Sequence, residues 1–234
     1  MTLRGAATAL ALALAATSTQ ALTAAEVFER ASGSVWRVVT YDQDNLPLGQ
    51  GSAVVVGEER LVTNCHVLRR AKRVVVRRDK QSLPAQLAQW DVQRDVCALE
   101  AKGLVAPAVA LGDSAQVQVG QNAFAIGNPK GLDLTMSAGL VSSLRRNEAA
   151  QLVLIQTSAA ISGGSSGGGL FDDQGALIGL TTIGSVGADA QNLNFAVPVE
   201  WIKELPQRHA RLNAKAAAAA ASGAASTGAA SAPK

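Results

Sequence analysis

Aromatic residues are nearly missing from this chain: Phe, Trp and Tyr make up 3% of its 234 residues. A core built on ring packing is excluded, and the 48% hydrophobic content must come from Val, Ile, Leu and Ala. That fraction, with only 17% charged residues, excludes a chain disordered throughout. No apolar run reaches the roughly 20 residues that span a bilayer, so a multi-span membrane protein is excluded too. The body also lacks a surplus of either charge. Of 21 Lys and Arg, three (Arg4, Lys215, Lys234) lie in the end segments, which leaves 18 against 18 Asp and Glu in residues 22–213. The basic isoelectric point belongs to the ends and is no nucleic-acid footprint.

The two ends read as separate from the fold. Residues 1–21 combine Arg4, a short apolar stretch and the small-residue site Thr19-Gln20-Ala21, the pattern of a signal peptide for export. No Cys precedes residue 65, which excludes a lipid-modified Cys at a mature N-terminus. Residues 214–234 are almost all Ala, Ser and Gly, and are expected to form a disordered Ala-rich tail.

Between them, short apolar runs at 35–41, 51–56, 60–63, 73–76, 85–90, 96–99, 123–126, 134–144, 152–157, 176–182 and 193–197 alternate with segments rich in Gly, Pro, Asn, Asp and Ser. No helical period fills the gaps, so βαβ units are excluded and an all-β fold is predicted. The number and length of runs fit two six-stranded barrels, at about 34–110 and 111–198, with short helices at 23–31 and from Val199. One basic run, Arg69 to Lys80, reads as a buried strand with solvated charged ends. An anionic partner is the alternative.

Three segments carry chemistry. His66 closes an apolar run in Thr63-Asn64-Cys65-His66-Val67, whereas His209 sits near the tail and is expected to be exposed. Asp95 enters the apolar run after Arg94, where burial of its carboxylate demands a hydrogen-bond donor such as an imidazole N–H; Asp91 reads as a turn residue. Ser162-Gly163-Gly164-Ser165-Ser166-Gly167-Gly168-Gly169 offers little to pack, and suits a backbone whose N–H groups converge on an oxyanion. It also fits the G-x-S-x-G elbow of α/β-hydrolases, but a hairpin signal follows instead of a helix, and the only later His is His209. No Gly-Lys-Ser/Thr follows, so a P-loop is excluded. The order His66, Asp95, Ser166 is that of trypsin-like enzymes.

These stretches, together with Ala125-Ile126-Gly127-Asn128-Pro129-Lys130-Gly131-Leu132, resemble the protease domain of the HtrA/Deg group of bacterial trypsin-like serine proteases across roughly residues 25–205. The resemblance implies a trypsin-like double β-barrel with the active site between barrels. His66 would be the general base, Asp95 its orienting carboxylate and Ser166 the nucleophile, with the Gly164 and Ser166 N–H groups as oxyanion hole. Ser165 and Gly169 depart from the family's usual Asn and Pro or Ala, which makes that loop looser. The PDZ domains common in the group have no counterpart in the sequence, so trimer formation is not carried over and the oligomeric state stays open. The Ile-Val-Gly-Gly start of zymogen-activated trypsins is also missing, so ordering of loops such as 127–131 is expected to set activity.

The same resemblance puts Ala160 at the floor of the substrate pocket and Thr182, Ile183 and Gly184 along its wall. With no acid at the floor, cleavage after small or medium apolar residues is expected. It also brings Cys65 and Cys97 close, each within two residues of His66 or Asp95, and a disulfide between them is expected. Two Cys and one nearby His leave too few ligands for a metal, and no cofactor is expected. The reading is an exported, periplasmic or secreted serine endopeptidase acting on unfolded polypeptides, with no stable membrane span after signal removal. A proteolytically inactive, chaperone-like peptide binder on the same fold is the alternative, and an esterase a third.

Overall fold

The computed structural model describes residues 21–182 and 193–227. Most of the segment read as a signal peptide, the end of the tail, and Ile183 and Gly184 lie outside the described residues.

A nine-residue helix, α1 (Ala24–Ser32), precedes the strands. Thr23 and Glu26 form a reciprocal capping box: Glu26 N–H donates to Thr23 Oγ1 at 3.3 Å, and Thr23 N–H donates to Glu26 Oε2 at 2.8 Å. The donors from Thr23, its backbone N–H first and its hydroxyl second, hold the Glu26 carboxyl below its ordinary pKa.

The first barrel takes β1 (Val35–Tyr41), β2 (Pro47–Gly57), β3 (Arg60–Thr63), β4 (Arg73–Arg78), β5 (Gln81–Asp91) and β6 (Val96–Glu100), closed in the order β1-β2-β3-β6-β5-β4. The second takes β7 (Asn122–Gly127), β8 (Thr135–Arg146), β9 (Leu152–Thr157), β10 (Gly169–Phe171), β11 (Leu177–Thr182) and β12 (Asn194–Pro198), closed in the order β10-β11-β12-β9-β8-β7. The expected double six-stranded barrel is present, and closure leaves neither sheet an unpaired edge.

Strand alternation sorts most of the buried apolar residues into three cores, with Val39, Tyr41 and Val75 in a small separate cluster. Trp36 and Val38 point into the first barrel with Val55, Leu61, Val76 and Leu99. The interior of the second barrel is built largely from small side chains, Ala123, Ala125 and Ala196 with Val141, Ile155 and Leu170. That is how a barrel fills without rings: strands approach closely and methyl groups interdigitate. The third core joins the barrels. Val35, Val54, Val62 and Val96 of the first meet Phe124, Phe171, Leu177 and Leu180 of the second, and Val27 of α1 with Ile202 and Leu205 seal its rim.

The last element departs from expectation. In place of a short helix and a disordered tail, α2 runs from Val199 to Thr227 and takes in residues 214–227. Alanine has the highest helix propensity, and a run of it carries the helix through Ser222-Gly223, whose combined cost is only about 1–2 kcal/mol. Among the described residues no helix is long and apolar enough to cross a membrane.

Candidate active site

β3 ends at Thr63, and Asn64 leads into a short 3-10 turn, Cys65–Leu68, that carries His66. Asp95 follows the tight turn between β5 and β6, with a left-handed backbone (φ 56°), which Asp tolerates better than most residues. Three ties bring the two segments together. Cys65 and Cys97 form a disulfide. Asn64 Nδ2 donates to the Asp95 carbonyl at 2.9 Å, and His66 N–H donates to Asp95 Oδ1 at 2.9 Å. The ring then meets the same carboxylate, Nδ1 to Oδ2 at 2.7 Å. A proton on Nδ1 satisfies that contact and leaves Nε2 as an acceptor.

The Gly/Ser loop comes from the second barrel and is pinned by the first. The Ser166 carbonyl accepts from Ser52 N–H of β2 at 2.8 Å. Ser52 Oγ donates to the Gly164 carbonyl at 2.9 Å and accepts from Asn128 N–H at 2.8 Å. Lys130 N–H donates to the Gly163 carbonyl at 2.6 Å, and Thr181 Oγ1 to the Ser165 carbonyl at 2.6 Å. Gly164 has φ +94°, and a Cβ there would stand 2.6 Å from the Asn128 carbonyl oxygen, so the loop-to-loop approach requires glycine. Neither the Gly164 nor the Ser166 N–H meets a backbone acceptor among the described residues. Ser166 is 3% exposed, and its Oγ has no hydrogen-bond partner there. His66, Gly164 and Ser166 line one cleft of about 260 Å³.

Ala160 borders a smaller cavity of about 120 Å³ with Ser162, Ser165 and Thr181, and among the described residues no ionisable side chain lines it. Thr182, expected in the pocket wall, directs its hydroxyl to Asp95 Oδ2 at 3.4 Å. Among the described residues no group of His, Cys, Asp and Glu is gathered to hold a metal ion.

Several contributors escaped the sequence reading. Ser52 and Asn64 fix the Gly/Ser loop and the Asp95 backbone; a lone serine in the apolar run 51–56 was the available signal for the first. Asp91 is not a turn residue on the surface. It is 1% exposed at the end of β5, and its carboxylate pairs with Arg208 of α2 at 2.5 Å and with Arg94 at 4.0 Å. Arg94 also pairs with Glu204. His209, expected free in solvent, stands edge-on to Trp90 with ring centroids 4.2 Å apart. α2 therefore lies against the hairpin that delivers Asp95. The basic run resolves into β4, with Val75 and Val76 buried, Arg73 over the Tyr41 ring and Arg77 on the Tyr41 hydroxyl.

Residues 51–180 match the model of the trypsin-like peptidase domain. Among curated proteins the chain is 38% identical to "Protease Do-like 1, chloroplastic" of Arabidopsis thaliana, over 70% of this chain and 40% of that protein. It is 34% identical to a "Probable periplasmic serine endoprotease DegP-like" of Pseudomonas putida, over 75% of this chain and 38% of the relative. Among solved structures, "HtrA-type protease AlgW with tripeptide" superposes with a TM-score of 0.70 at 35% identity, over 78% of this chain and 62% of that one. The chain spans about two fifths of the length of the curated relatives it matches. With its paired barrels and the cleft between them, the chain belongs to the trypsin-like peptidases, in their HtrA-type branch.

Proposed function

We propose that the protein is an exported serine endopeptidase in which His66, Asp95 and Ser166 act as a catalytic triad. The observation that carries this reading is the Asp95 carboxylate bound to both the backbone and the ring of His66, on a cleft that Ser166 shares. Ser166 Oγ attacks the peptide carbonyl while His66 Nε2 takes its proton, and Asp95 stabilises the imidazolium. The N–H groups of Gly164 and Ser166, without backbone acceptors of their own, donate to the oxyanion; loss of one such donor costs about 3–4 kcal/mol of transition-state stabilisation. His66 then protonates the leaving amine, and water hydrolyses the acyl-enzyme by the same route reversed.

Substrates are unfolded polypeptides cut after small or medium apolar residues. Support comes from Ala160, which offers no carboxylate to a basic side chain, and from the tripeptide named with the AlgW structure. Export is supported by the pattern of residues 1–21 and by the periplasmic designation of the Pseudomonas relative.

The test is incubation of wild type and Ser166→Ala with a denatured protein, with cuts mapped by mass spectrometry. Cleavage by wild type alone, after apolar residues, is the expected result. Equal turnover by both proteins overturns the reading, and binding without cleavage by wild type assigns the fold to peptide holding instead.

A further inference from the structure

A second cavity, of about 430 Å³, lies between the outer face of β1 and β4 and the loop that follows β7. Arg37 of β1 and Arg77 and Arg78 of β4 open into it. Arg37 and Arg77 are direct cross-strand partners, and like charges set opposite each other destabilise a sheet. Their own contacts do little to offset this. Arg37 Nη2 donates to the neutral Gln50 Oε1 at 2.5 Å, Arg77 Nη2 donates to the Tyr41 hydroxyl at 2.9 Å, and Arg37 Nε is buried without an acceptor among the described residues. Arg78 donates to the Ser32 and Val35 carbonyls, and the one carboxylate it meets among the described residues is the exposed Asp79, at 3.6 Å.

Gln50 connects this cavity with the active-site cleft. It lines the cleft beside His66 and Ser166, and its amide oxygen holds Arg37. Gly131 (φ +73°) closes over the pair; a Cβ there would overlap the Gln50 amide and lie 2.7 Å from Arg37 Nη2. If the acyl half of a substrate runs along the edge at Thr182, the leaving half departs on the other side of Ser166, over Gly49 and Gln50 and towards Arg37.

We infer that this cavity is an exosite for an acidic side chain of the substrate, on the leaving-group side of the scissile bond. The inference rests on the endopeptidase reading above. A guanidinium presents a planar fork that matches a carboxylate. Leu132 and Leu134 add apolar surface for the stem of a Glu or for its neighbours. Asp79 and Asp133 stand on the rim and repel a polyanion, which favours one carboxylate carried on a peptide over nucleic acid or a phosphate polymer.

The test uses labelled peptides that share one cleavage site and carry Glu, Gln or Lys at successive positions on the leaving side. At one or more positions wild type is expected to prefer Glu over Gln by about tenfold in kcat/KM, the worth of a charge-assisted hydrogen bond, with the preference shrinking as salt is raised. Arg77→Gln removes the preference, and Arg77→Glu reverses it towards Lys. The same peptides are titrated by fluorescence anisotropy onto the Ser166→Ala protein, where Glu is again expected to bind more tightly. Cleavage with no preference between Glu and Gln, or a preference that both Arg77 variants retain, overturns the exosite. Should wild type cleave none of the peptides, the endopeptidase reading fails separately, and the anisotropy ratio alone decides for or against the exosite.

Discussion

Asp95 holds His66 at two points, accepting its backbone N–H on Oδ1 at 2.9 Å and facing its ring Nδ1 with Oδ2 at 2.7 Å. The first contact fixes where the 3-10 turn sits, and the second fixes which way the ring faces and which nitrogen carries the proton. Asp95→Asn separates these roles, because an amide keeps the shape and can still accept the backbone N–H. Its NH2 turned towards Nδ1 drives the proton to Nε2, where the ring can no longer take one from Ser166. Steady-state kinetics on a peptide substrate are expected to show kcat lowered about 10⁴-fold with KM little changed. An undiminished kcat would remove Asp95 from the triad.

The disulfide between Cys65 and Cys97 closes a separation of 32 residues directly beneath His66 and Asp95. In the chain-entropy account a loop of this size stabilises by about 3–4 kcal/mol. Replacing both cysteines by alanine should lower the urea midpoint accordingly, and reduction of wild type should reproduce the shift. Identical midpoints for oxidised and reduced protein would contradict this.

The sequence exposed the parts of the site whose chemistry is carried by residue type. A rare histidine, an acid entering an apolar strand and a glycine-rich serine segment stand out without knowledge of their separation in space. Ser52 did not, because its role exists only once the barrels pack: its hydroxyl reaches the Gly164 carbonyl across 112 positions of chain. His209 was misread for the same reason, since its partner Trp90 lies 119 positions away on β5. The helical course of residues 214–227 departs from the tail read from Ala, Ser and Gly composition, because the helix propensity of the alanine run outweighs the cost of Ser222-Gly223.

Ser52→Ala follows from that long-range bond. The variant leaves the Asn128 N–H and the Gly164 carbonyl without their shared partner, in a buried setting where an unmet group costs about 1–3 kcal/mol. Melting temperature should fall modestly. Since the freed carbonyl lies between the Gly164 and Ser166 N–H groups proposed as oxyanion donors, kcat should fall by about tenfold or more, the loss expected when such a donor is displaced in part. Ser52→Thr keeps the hydroxyl and should recover much of the lost activity. A stability loss with kcat unchanged would make Ser52 a purely structural tie.

Arg208 and Asp91 make a separate case, because their pair joins α2 to the strand that leads into the Asp95 turn. The Asp91 side chain is 2% exposed, so its charge is tolerated only through its partners, and Arg94 at 4.0 Å is the weaker of the two. Arg208→Met keeps the aliphatic stem and leaves the buried carboxylate only its weaker contacts with Arg94, at an expected cost of about 2–4 kcal/mol. Adding Asp91→Asn to that variant removes that charge, so the double variant should be more stable than Arg208→Met alone. Thermal melts of the four proteins in this cycle measure the coupling. Additive losses would mean that α2 is held to β5 by Trp90, His209 and the apolar contacts of Ile202 and Leu205, with the ion pair contributing nothing of its own.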